Sequence, residues 1–80
     1  MKVKTLLSLK VGSYIKYNSL NNKSILKIIS KDNGRIIVRI LSSSFDGEFA
    51  GQEYTLNPNF DMWIRDAKVI SKIEAQVEVL

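Results

Sequence analysis

Eighty residues, 45% hydrophobic and 25% charged, fit a single globular domain spanning 1–80, since chains this short do not divide their core. The chain has neither Cys nor His, which excludes disulfide scaffolds, Cys/His zinc centres, thiol nucleophiles, Ser-His-Asp triads and histidine pH switches. The net charge of +4 is unevenly spread: residues 1–40 carry nine basic side chains against Asp32 alone, and residues 41–80 carry three against seven acidic ones.

Met1–Leu9 pairs Lys2 and Lys4 with a short apolar run that Lys10 interrupts, so neither a cleavable leader nor a membrane span is expected, and the chain reads as cytoplasmic. Ser13–Tyr17 is the first predicted strand, with Ile15 and Tyr17 on one face, and Asn18–Lys23 is a polar loop. Ser24–Ser30 and Arg35–Leu41 are β-branched runs around Lys31-Asp32-Asn33-Gly34, the clearest hairpin signal in the sequence. Ser42–Gln52 is a long polar loop, and Glu53–Leu56 is a short strand closed by Asn57-Pro58-Asn59. Phe60–Ile64 suits one helical turn, with Phe60 and Trp63 closing an end of the core. Met62–Lys72 fits helix or strand, and the alternation of Ile73, Ala75, Val77 and Val79 with polar residues predicts a final strand.

The hairpin register follows from burial. A two-residue Asn33-Gly34 turn would put Lys27, Ile29 and Lys31 on one face with Ile36, Val38 and Ile40. A three-residue Asp32-Asn33-Gly34 loop, with Gly34 left-handed, gathers Leu26, Ile28, Ile36, Val38 and Ile40 on one apolar face. The second register is therefore expected, with Lys31 facing Arg35 and Lys27 facing Arg39. Five short strands with a helical turn before the last predict a mainly β fold, a small SH3-like barrel, with an OB-like barrel as the alternative.

The segments Leu9-Lys10-Val11-Gly12-Ser13-Tyr14-Ile15-Lys16-Tyr17, Lys27-Ile28-Ile29-Ser30 with Asn33-Gly34, and Gly51-Gln52-Glu53-Tyr54-Thr55-Leu56 carry a resemblance. Over residues 9–64 the chain resembles small SH3-like barrel accessory proteins of tailed bacteriophages. That resemblance implies a protein acting on host machinery or host defence in the host cytoplasm. It transfers no site residues.

No phosphate loop or paired catalytic carboxylates stand out, so an enzyme, a cofactor or a metal is not expected. Asp46, Glu48 and Glu53 match no calcium-loop spacing. The stronger signal is a basic ribbon of Lys16, Lys27, Lys31, Arg35 and Arg39 around Ile29 and Ile37, an apolar centre rimmed by charge. Like charges facing across strands cost stability and call for an acidic partner. The competing reading is a solubilising face guarded by lysine. A second candidate is the loop of Phe45, Asp46, Glu48 and Phe49 leading to Glu53, either packed on its own side chains or offering an anchor. The basic strands 24–41 hold no aromatic residue, which disfavours base stacking. The expected role is a non-enzymatic binding protein for a host protein; nucleic-acid phosphate contact is the alternative. The polarised charge also allows self-association of basic and acidic halves.

Overall fold

A computed structural model describes residues 1–59 and 61–79. It is mainly β, with helix α1 (Val3–Ser8) followed by strands β1 (Tyr14–Ser19), β2 (Asn22–Asp32), β3 (Arg35–Ser43) and β4 (Glu53–Leu56). A 3-10 turn over Met62–Asp66, strand β5 (Lys68–Ile70) and helix α2 (Lys72–Val79) complete the described chain. All pairings are antiparallel, and the sheet runs β4-β3-β2-β1-β5. The four-strand meander and the helical turn before the last strand are as expected. The sheet is open, with β4 and β5 at its edges.

The last strand is not where the alternating pattern put it. Residues 72–79 are helical, and β5 lies earlier, in the stretch that fitted either state. The reason is local. The Ser71 Oγ accepts the Glu74 N–H at 3.1 Å, and the Ala75 N–H bonds the Ser71 carbonyl at 2.9 Å. Ser71-Lys72-Ile73-Glu74 thus has the spacing of an N-terminal capping box and starts a helix. Of the alternating apolar residues only Ala75 is buried; Ile73, Val77 and Val79 are exposed. The helical turn expected at Phe60–Ile64 runs over Met62–Asp66 instead, with Ile64 in the core, and Phe60 lies outside the described residues.

The β2–β3 turn corrects the expected register while keeping its face. Asp32 pairs with Arg35, so the loop is only Asn33-Gly34, both left-handed at φ 48° and 77°. Lys31 then faces Ile36, not Arg35. An extra residue enters β2 between Ile28 and Ser30, and this β-bulge shifts the ladder by one, giving Ile28–Val38, Lys27–Arg39 and Leu26–Ile40. The apolar face is therefore the expected one, reached by a different route. Leu26, Ile28, Ile36, Val38 and Ile40 join Leu6, Ile15, Leu56, Ile64 and Ala67 in the main core. A second bulge leaves Leu41 of β3 unpaired between Ile40 and Ser42, and Ile25, on the opposite face from Leu26 by strand alternation, packs with Ile70 and Ala75 beneath α2.

The polar segment 18–23 is mostly strand. Ser19 pairs with Asn22, leaving Leu20 and Asn21 as a tight hairpin tip. That tip and the β3–β4 loop lie at one end of the sheet, opposite the Asn33-Gly34 turn, because β1–β2 and β3–β4 reverse at the same end of the meander.

Candidate functional site

The outer sheet face carries a row that crosses every strand: Glu53, Arg39, Lys27, Tyr14 and Ile70 are successive cross-strand neighbours. Lys27 faces Arg39 as expected, and its Nζ lies 5.6 Å from the Tyr14 ring centroid. The rest of the predicted ribbon is largely engaged within the chain. The Arg39 guanidinium binds the Glu53 carboxylate at 2.7 and 2.8 Å. Lys16 donates to Glu78 of α2 at 2.9 Å, and Lys23 donates to the other oxygen of the same carboxylate.

Lys31 leaves the ribbon altogether. The bulge puts it on the core side, where its ammonium donates to the Leu7 and Leu9 carbonyls at 2.6 and 2.7 Å and caps the end of α1. Arg35 is exposed opposite Asp32, and Ile29 and Ile37 are half-buried. Of the five predicted ribbon cations, only Lys27 and Arg35 form no ion pair and no side-chain hydrogen bond among the described residues.

The loop is fastened from inside and divides its two phenylalanines. Phe45 turns in and stacks on Tyr17, with ring centroids 5.6 Å apart at 16°, and Tyr17 meets Trp63 at 5.2 Å in a tilted pair. The Glu48 Oε1 accepts hydrogen bonds from the Ser43 hydroxyl at 2.7 Å and the Ser24 hydroxyl at 3.3 Å. The Phe49 N–H donates to the Gln52 Oε1 at 3.2 Å, while the Phe49 side chain stays 71% exposed. Asp46 is exposed. Glu53 belongs to β4 and to Arg39, so Asp46, Glu48 and Glu53 have separate roles and form no common cluster.

At the same end of the sheet, Leu20 is 99% exposed and takes a left-handed backbone at φ 55°. The sequence reading missed it. Its signal was a lone leucine among Asn18, Ser19, Asn21 and Asn22. Where Glu48 of the loop meets the core side of the sheet lies a cavity of about 40 Å³, lined by Tyr17, Ser24, Leu26, Glu48, Tyr54 and Trp63. Burial, and then the nearby Glu48 and Asp61 carboxylates, push the Tyr54 hydroxyl well above its ordinary pKa. Trp63, expected to close an end of the core, packs against it while half-buried, and its side chain also lines this cavity.

No family model, curated protein or solved structure matches the chain.

Proposed function

We propose that the protein is a non-enzymatic binding module that engages another protein through the loop end of its sheet. The observation that carries this reading is the exposure of Phe49 on a fastened loop. Phe45 stacking, the Glu48–serine hydrogen bonds and the Gln52 contact hold the loop, yet Phe49 stays exposed. A loop backbone held in place before binding loses little entropy on docking, and large aromatic side chains dominate interface energetics. Leu20 supplies a second apolar contact at that end, on a backbone conformation a leucine adopts at a cost.

The outer face supports this role less well, because Lys16 and Arg39 are already neutralised and Lys31 is spent on α1. The resemblance to bacteriophage accessory proteins makes a bacterial host protein the partner class. The test is affinity capture from a bacterial lysate with and without nuclease, with the parent and a Phe49→Ala/Leu20→Ser variant as baits. The parent should retain a protein that the double variant loses, and Lys27→Glu should retain it as the parent does. Capture that disappears with nuclease, or falls steeply with log[salt], would replace this reading with phosphate contact through the basic face.

A further inference from the structure

The cavity at the loop end has the chemistry of a cation site. We propose that it receives the ammonium group of a lysine side chain, unmodified or singly methylated, from a bound protein. This deepens the reading of the loop end as a docking surface and rests on that reading only for the source of the lysine.

Three observations converge on the assignment. The first is the wall: Tyr17, Tyr54 and Trp63 bound the space, and aromatic faces attract a cation through the ring quadrupole. The second is Glu48. It is partly buried and, like every acidic side chain except Glu53 and Glu78, forms no ion pair among the described residues. Ser24, only 3% exposed, and Ser43 both donate to its Oε1, which fixes the carboxylate and leaves Oε2 without a donor among the described residues. An ammonium group brings three donors and the missing charge, so its loss of hydration is offset at this point. Burial first, and then the Glu48 and Asp61 carboxylates, raise the Tyr54 hydroxyl in the same wall.

The third observation is the donor that the free Oε2 calls for, and it selects within the class. A primary ammonium, or one carrying a single methyl, keeps N–H groups to donate to that oxygen. A trimethylated head has none.

The experiment titrates the intact protein with n-butylammonium and with tetramethylammonium, against sodium chloride at matched ionic strength. Trp63, the only tryptophan, serves as reporter through its fluorescence and its indole N–H resonance. Butylammonium should give a saturable change, tetramethylammonium should bind at least about tenfold more weakly, and Glu48→Gln should weaken butylammonium to a similar degree. Glutamine keeps an oxygen for the two serine hydroxyls, and amide resonances away from the cavity report whether the variant is folded. Contacts from butylammonium protons to the Tyr17, Tyr54 and Trp63 rings, observed by NOE in the parent, test the site without any variant. A response equal to that of sodium chloride, a response unchanged in folded Glu48→Gln, or a preference for tetramethylammonium would overturn the assignment. Capture that survives Phe49→Ala/Leu20→Ser removes the docking end and leaves the cation site standing; a silent Trp63 does the reverse.

Discussion

Asn33 and Gly34 reverse the chain with two consecutive left-handed residues, the geometry that matches the twist of paired strands. A Cβ at Gly34 would meet nothing within 4 Å, so the cost of Gly34→Val lies wholly in the backbone. We expect a loss of about 1–2 kcal/mol, with Gly34→Asn costing less because Asn tolerates this region. Urea unfolding of the two variants gives the comparison. Leu20 is the opposite case, a bulky side chain where glycine or asparagine would be at ease. Leu20→Gly relieves that strain and gives back backbone freedom in the unfolded chain, so the two effects cancel to within about 1 kcal/mol. The left-handed glycine was legible because Asp-Asn-Gly between apolar runs has a mechanism behind it. Leu20 was not, since nothing in its neighbours announces that a tip, not a core, receives it.

Helix α2 is held by few contacts. It buries Ala75 against Tyr14, Leu41, Ile25 and Ile70, its first turn is capped by Ser71, and Glu78 joins it to both β1 and β2. Hydrogen bonds from Lys23 and then Lys16 hold the Glu78 carboxyl at about 2, against an ordinary value of 4.5. A pKa lower in the folded than in the unfolded state stabilises above the unfolded value and stops doing so as pH falls through the folded one. The attachment of α2 should therefore weaken between about pH 4.5 and pH 2. Amide resonances of α2 followed from pH 6 to pH 1.5 should show that transition in the parent, and Glu78→Gln should lack it. Period-2 alternation misled here because Ile73, Val77 and Val79 have no core to face. Helix-favouring Lys, Glu and Gln and the Ser71–Glu74 spacing were the better guide.

Across the whole molecule, the acidic second half answers the basic first half at specific points, Glu53 to Arg39 and Glu78 to Lys16 and Lys23. The imbalance was visible in the sequence. Which charges would meet was not, because it depended on a helix read as a strand and on a bulge that no residue type marks. The bulge also took Lys31 from the proposed ribbon, and the inward packing of Phe45 became visible only once Tyr17 and the loop shared an end of the sheet. Lys27 stays beside Arg39 with its own charge unpaired. Lys27→Glu turns that repulsion into attraction, worth about 0.2–1 kcal/mol, and forfeits a cation–π contact of about 0.5–1 kcal/mol. Thermal unfolding should therefore place the variant within about 1 kcal/mol of the parent.

The bulge between Ile28 and Ser30 ties the length of a strand to the length of a turn. It absorbs the offset that a two-residue tip imposes, so the residues nearest Asn33-Gly34 follow one alignment and Leu26–Ile28 follow another. Removing Ile29 would bring Ser30–Ile37 directly after Ile28–Val38 and leave the other pairs and the two-residue tip as they are. Ile29 is therefore a residue this hairpin can lose without a compensating change elsewhere, so descendants of the sequence can exchange a kinked ladder for a straight one while the same side chains stay inside.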